Sequence, residues 1–216
     1  MIINLSEHNS LLRIWMRELR DSSIQNDRMR FRRNMERIGE VAAYEISKTL
    51  AYKEVTVQTP MGEALCYELE AQPVLATILR AGVPLHQGMY NFFDNADAAF
   101  VAAYRKHNRD GSFEIEQEYV TSPDLEGRVL IIADPMLATG ASLELALQAL
   151  MENGTPSHIH IVAAISSTQG IEYVKRKFPE ATIWTGDIDD ELTGRGYIVP
   201  GLGDAGDLSY GSKRQN

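Results

Sequence analysis

Over residues 129–142 the chain reads Val-Leu-Ile-Ile-Ala-Asp-Pro-Met-Leu-Ala-Thr-Gly-Ala-Ser and continues into Leu-Glu-Leu-Ala-Leu. This order predicts a buried strand, a carboxylate at its end, a short loop of small residues and the start of an amphipathic helix. Backbone N–H groups in such a loop converge on one point, and the helix dipole adds partial positive charge there. That chemistry suits a phosphate, and Asp134 beside it suits neighbouring hydroxyls, so a phosphorylated sugar fits both halves. Two further cations follow apolar runs: Arg80 after 73–79 and Arg105 after 98–104. In parallel α/β sheets ligands collect beyond the carboxyl ends of strands. Asp134, Arg80 and Arg105 are therefore candidate site residues.

Helical and extended segments alternate around these residues. Segments 9–20 and 27–51 read as helices, the second with Asn26 or Asp27 as its cap. Segments 54–58 and 62–69 alternate as a hairpin across Thr59-Pro60-Met61, and 113–120 alternates as an exposed β-arm. Strands are expected at 73–79, 98–104, 129–133, 158–165 and 182–185. Helices are expected after the Arg80-Ala81-Gly82 loop as far as Phe93 and over 143–152 and 170–178. Alternating strands and helices imply an α/β fold with a mostly parallel twisted sheet flanked by helices.

The whole chain bounds the answer. Its 216 residues suffice for one domain with a sizeable core, with 44% hydrophobic and 24% charged residues. The expected unit is 1–216, with the helices of 1–52 and a C-terminal segment 194–212 as parts of it. A single cysteine, Cys66, forms no internal disulfide, so a reducing cytoplasmic setting is expected. No signal-like start and no membrane-length apolar run stand in the sequence. A net charge of −9 argues against nucleic acid as a partner. One basic stretch, Arg28, Arg30, Arg32, Arg33 and Arg37, is interrupted by Asp27, Glu36 and Glu40. It reads first as a solvated or subunit-contacting helix face and second as an anion or effector site.

The 134–142 loop fits neither a Walker A loop nor a dinucleotide fingerprint. It resembles the phosphoribosyl-diphosphate (PRPP) loop of type I phosphoribosyltransferases. The usual pair of acids is reduced here, because Ala133 replaces the first. Within that class, Asp-Pro-Met-Leu-Ala-Thr-Gly is the form seen in uracil phosphoribosyltransferases. A second constellation is Gly-Tyr-Ile-Val-Pro-Gly-Leu-Gly-Asp-Ala-Gly-Asp over 196–207. Its Gly-x-Gly-x-x-Gly is not a nicotinamide site, since Pro200 interrupts the strand that should lead in. It is very similar to the uracil-binding segment of the same family. With Ile-Leu-Arg-Ala-Gly at 78–82 and Tyr104-Arg105, the resemblance spans nearly the whole chain.

What the resemblance implies is a type I phosphoribosyltransferase fold with a β-arm or flap and a C-terminal base-binding hood. The reaction joins uracil and PRPP to give UMP and diphosphate, with Mg²⁺ carried mainly by PRPP and no protein ligand of the metal nominated. Arg80 and Arg105 grip the diphosphate and, with Asp204, form the catalytic set. The PRPP site takes in Asp134, Pro135, Met136, Leu137, Ala138, Thr139, Gly140, Ala141 and Ser142, together with Arg80, Arg105 and Asp204. Uracil meets Ile198, Gly203, Asp204 and Ala205, with Tyr197 either walling the base pocket or serving as a core aromatic. Homo-oligomers are expected, and GTP activates some members.

Two stretches depart from the family's pattern: Val83-Pro84-Leu85-His86-Gln87 after the Arg-Ala-Gly, and Ser166-Ser167-Thr168-Gln169 before Gly170-Ile171. Both bear on assembly and regulation before chemistry. His107 and Arg109 read as a surface turn or a flap over diphosphate. His158 and His160 lack a metal-ligand companion, and Ser166-Ser167 lacks a nucleophile elbow. The rival readings are a pyrimidine-responsive RNA-binding regulator on the same fold, a transferase for another base and a non-catalytic protein. Ala133 and the negative charge count against the first. The glycine-rich 201–206 segment counts against the second. The presence of every PRPP-binding motif counts against the third.

Overall fold

The structure, a computed structural model, describes residues 1–107 and 113–212, and the side chains of all of these except 103–107 and 113–118. A central sheet runs in the order β1 (Ile2–Asn4), β10 (Thr182–Asp189), β9 (His158–Ser167), β7 (Val129–Ala133), β4 (Val74–Leu79), β5 (Asp97–His107) and β6 (Phe113–Thr121). All neighbours pair parallel except β5 and β6. The inner strands are near-continuous apolar runs because both of their faces are covered. Leu75, Ile131 and Val162 point to one face. Their neighbours Val74, Ala76, Leu130, Ile132 and Ile161 point to the other.

Helices α1 (Leu11–Arg20), α2 (Arg28–Ser47) and α3 (Val83–Tyr90) supply the first core, with Leu19, Phe31, Met35, Ile38 and Leu85 fully buried. Helices α4 (Ala141–Met151) and α5 (Thr168–Lys177) supply the second through Leu143, Leu147, Leu150, Ile171 and Val174. Asp27 caps α2, accepting from the Arg30 N–H at 3.1 Å. Strands β2 (Tyr52–Thr59) and β3 (Gly62–Leu69) form a separate antiparallel hairpin turning through Pro60-Met61.

Several expectations need correction. The second helix stops at Ser47 instead of continuing to 51, as Thr49 and Leu50 close a turn onto Ile46 and Ser47. Helix α3 stops at Tyr90 instead of Phe93. Segment 113–121, expected as an exposed β-arm, is an edge strand that pairs antiparallel with β5. Five short elements were not foreseen: β1, β8 (Met136–Leu137), the pair β11 (Glu191–Leu192) and β12 (Ile198–Val199), and α6 (Ala205–Tyr210). Each has too few residues to show a period, and β1 and β8 form by pairing with β10 and β9. Among the described residues no helix is long and apolar enough to cross a membrane.

Candidate active site

The carboxyl ends of β4 and β7 lie side by side, with Thr77 opposite Ala133 and the Thr77 hydroxyl donating to the Ala133 carbonyl at 3.1 Å. Arg80 and Asp134 follow these ends directly, so two candidates far apart in sequence emerge on one edge of the sheet. The Leu79–Arg80 peptide is cis. The 134–140 loop is tied down along its length. The Asp134 N–H donates to the Val162 carbonyl at 3.0 Å, and the Ala164 and Ile165 N–H groups both donate to the Pro135 carbonyl. β8 then adds to β9 opposite Ile165 and Ser166.

Pro135, Leu137 and Ala138 are buried, so they present backbone to the edge, whereas Asp134, Thr139, Ala141 and Ser142 are half-buried at its rim. Gly140 precedes α4 with φ +83°, and a Cβ there would lie 2.8 Å from Tyr173 Cδ1. Only glycine takes this backbone conformation at no cost and leaves that room. The result is a helix N-terminus at the end of a fixed loop, a natural anion cradle.

The 196–211 segment returns to the same edge. After β12 and a cis Val199–Pro200 peptide, Gly201 turns with φ +62°. Asp204 caps α6, its Oδ1 accepting from the Asp207 N–H at 3.0 Å. α6 lies against the Arg80 loop. Arg80 Nη2 is 3.6 Å from Asp207 Oδ1 and 3.4 Å from the Gly211 carbonyl. Ile198 and Ala205 are buried, Gly203 is exposed and Asp204 half-buried. Tyr197 is 43% exposed at the turn between β11 and β12, which rules out the core-aromatic reading. Its N–H bonds Thr193 Oγ1, holding it at the surface.

What sequence reasoning missed is the anchorage of this hood. Arg20 donates to both oxygens of Asp189, at 2.8 and 2.9 Å, to Asp187 Oδ2 at 2.8 Å and to the Gly201 carbonyl at 3.1 Å. Asp189 Oδ2 also accepts from the Gly201 N–H at 2.8 Å. Burial pushes the Asp189 carboxyl up, but Arg20 and the Gly201 N–H outweigh it and hold the group below the ordinary carboxylate range. Gln25 donates to the Leu202 carbonyl and Arg32 to the Ser209 carbonyl. The available signal was the alternation of Asp187 and Asp189 at a strand's end.

The remaining candidates separate. Arg105 stands on β5 opposite Ile115, but its side chain lies outside the described residues, as do the side chain of His107 and the whole of Arg109. On the basic helix, Arg33 pairs with Glu36 and Glu40, Arg30 with Glu18, and Arg37 lies over the Trp15 ring. Much of that positive face is matched internally, more than a solvated face requires. His158 and His160 sit at the amino end of β9, opposite the site. His160 Nδ1 accepts from Trp184 Nε1, and His158 Nε2 bonds Thr182 Oγ1. Ser167 caps α5 and donates to the Ala138 carbonyl at 2.5 Å, bracing the loop from behind.

A family model described as uracil phosphoribosyltransferase matches residues 6–212. A uracil phosphoribosyltransferase of Porphyromonas gingivalis is 54% identical over 213 residues, covering 98% of this chain and 99% of that protein. One from Pyrococcus furiosus is 38% identical, covering 90% and 83%. The solved structure of the AQ2163 protein from Aquifex aeolicus superposes with a TM-score of 0.86 at 31% identity, covering 98% of each chain. The mostly parallel central sheet flanked by helices is that of a type I phosphoribosyltransferase fold. With a family model over nearly its whole length and relatives of that name matched end to end, the chain belongs to the uracil phosphoribosyltransferase family.

Proposed function

We propose that residues 1–216 act as one catalytic domain. Its site lies where the 134–142 loop, the Arg80 loop and the 196–211 hood meet at the sheet's carboxyl edge. The enzyme is a pentosyltransferase that transfers the 5-phosphoribosyl group of PRPP to uracil, giving UMP and diphosphate. The observation that carries the assignment of residues is the approach of α6 to the Arg80 loop, with Arg80 Nη2 3.4 Å from the Gly211 carbonyl. It joins a glycine-rich backbone surface to an arginine beside an anion cradle.

The 5′-phosphate takes the backbone of Pro135, Met136, Leu137 and Ala138 and the α4 N-terminus from Thr139 and Gly140 to Ala141 and Ser142. Asp134 holds ribose hydroxyls. As the C1–O bond to diphosphate breaks and the bond from the uracil nitrogen forms, charge gathers on the leaving oxygens and the ring gains oxocarbenium character. Arginines fixed in place stabilise that developing charge more than the ground state. Arg80 and Arg105 serve here because a guanidinium grips phosphate oxygens at two points. Asp204 accepts or orients the proton leaving the uracil nitrogen.

Asp134 after β7 and Asp204 and Asp207 at the start of α6 are hard oxygen donors of the kind that suit Mg²⁺, while among the described residues no three acids, histidines or cysteines gather to hold a metal. Mg²⁺ would be carried mainly by PRPP and would supply charge compensation for the leaving diphosphate. No protein ligand is assigned to it.

Uracil lies against the backbone of Ile198, Gly203 and Ala205, with Asp204 beside it and Tyr197 at the outer wall. Uracil offers a donor at N3 and an acceptor at O4, and cytosine reverses both. Two backbone groups left opposed cost about 1–3 kcal/mol each, roughly 30-fold to 10⁴-fold against cytosine. The enzyme works in the cytoplasm as a homo-oligomer. The Arg28–Arg37 face is the place to seek a response to GTP.

The test is UMP formation by purified protein from labelled uracil, PRPP and Mg²⁺, with cytosine, orotate and hypoxanthine in parallel. Product from uracil alone is expected. Comparable turnover of cytosine overturns the base-pocket reading, and absence of product with and without GTP overturns the assignment.

A further inference from the structure

Glu144 lies in the first turn of α4, its N–H donating to the Gly140 carbonyl at 2.9 Å. A carboxylate there favours the helix but competes with any anion for the same positive end. Its side chain is turned toward α5 and only 13% exposed. Oε2 accepts a short hydrogen bond from the Tyr173 hydroxyl. Oε1 meets Lys177 Nζ at 2.9 Å and Gln148 Nε2 at 3.2 Å. The Tyr173 ring at the same time packs over Gly140, leaving 2.8 Å between Cδ1 and the place a Cβ would take. Behind it, a Cβ on Gly170 would stand 2.3 Å from the Ala138 carbonyl, so α5 braces the whole loop at close range.

We infer that Tyr173 is a positioning residue for PRPP binding: its ring fixes Gly140, and its hydroxyl, with Lys177, holds the Glu144 carboxylate off the phosphate cradle. Tyr173 touches no substrate and acts through the loop and through Glu144. The inference rests on the proposed phosphate role of the 134–142 loop.

The experiment measures PRPP affinity by calorimetry with Mg²⁺ at low salt, alongside steady-state kinetics and thermal melts. Tyr173→Phe keeps the ring and releases Glu144 Oε2, leaving the carboxylate tethered only through Oε1 to Lys177 and Gln148. The expected result is PRPP binding weakened about five-fold with the uracil KM and melting temperature unchanged, the scale of one charge at a helix N-terminus. Glu144→Gln in the Tyr173→Phe background removes the competing charge and is expected to restore affinity, which a purely structural defect would not allow. Thr139→Ala separates the two readings. If it weakens PRPP binding while Tyr173→Phe does not, or if Glu144→Gln fails to rescue, the inference is overturned and the loop's role stands. If Thr139→Ala binds PRPP normally, the phosphate reading falls and the inference falls with it.

Discussion

Arg20 and Asp189, 169 positions apart, meet through two parallel hydrogen bonds of 2.8 and 2.9 Å, and both also bond the backbone of Gly201. The pair thus couples the end of α1, the end of β10 and the entry to the hood.

Arg20→Ala leaves the Asp189 carboxylate, 8% exposed, buried without its partner. A loss of about 3 kcal/mol is expected, with a larger rise in the uracil KM than in the PRPP KM. Arg20→Lys keeps the charge but loses the fork and should fall between. Because the folded Asp189 pKa is depressed, its stabilisation is present above the unfolded value of about 4 and is lost as pH falls further. Denaturation curves below pH 4 should therefore steepen for the native protein relative to Arg20→Ala.

Asp204 both caps α6 and faces the proposed reacting centre. Asparagine caps a helix as well as aspartate, whereas alanine costs about 1 kcal/mol. Asp204→Asn should retain the melting temperature and lose most kcat. Asp204→Ala should lose both. Near-native turnover by Asp204→Asn would reduce the residue to a cap.

Arg80 reaches Asp207 of α6 and the Gly211 carbonyl and is proposed to grip the diphosphate. Arg80→Ala is expected to lower kcat roughly 100-fold or more, the usual scale for removing a preorganised donor to developing charge. Arg80→Lys should recover little, because an ammonium does not reproduce two-point contact. Single-turnover rates at saturating PRPP separate this from a binding defect.

His160 is buried among His158, Trp184 and the β9–β10 interface. Burial, reinforced by His158, lowers its pKa to about 4. The unfolded chain takes up that proton near pH 6.5 while the folded one stays neutral. Stability is therefore full above about pH 6.5 and falls as pH drops toward 4, by up to about 3 kcal/mol. Urea titrations across this window should show the slope, and His160→Gln should flatten it.

The order β7, loop, α4 was legible because each piece states its own local requirement: a doubly buried apolar run, a turn needing Gly140, and an amphipathic helix after it. The tight turns of the hood were legible for the same reason, since its dense glycines include Gly201 and Gly203 at positive φ, although its short strands and α6 were not. Asp27 as a cap could likewise be read from its neighbours. The hood's hold on the body could not. Arg20 looks like any charge at a helix end until Asp187, Asp189 and Gly201 arrive around it. Nor could the sequence show that Tyr173 covers Gly140 and engages Glu144, or that β1 and β8 find edges to pair with. What could be read from the residues alone is where the backbone turns tightly and lies bare, at Gly140 and along 201–206, because those demands are local in backbone conformation. Tertiary structure alone decided how they are held together, because buried charge pairs and strand edges join residues whose separation along the chain carries no periodic signal.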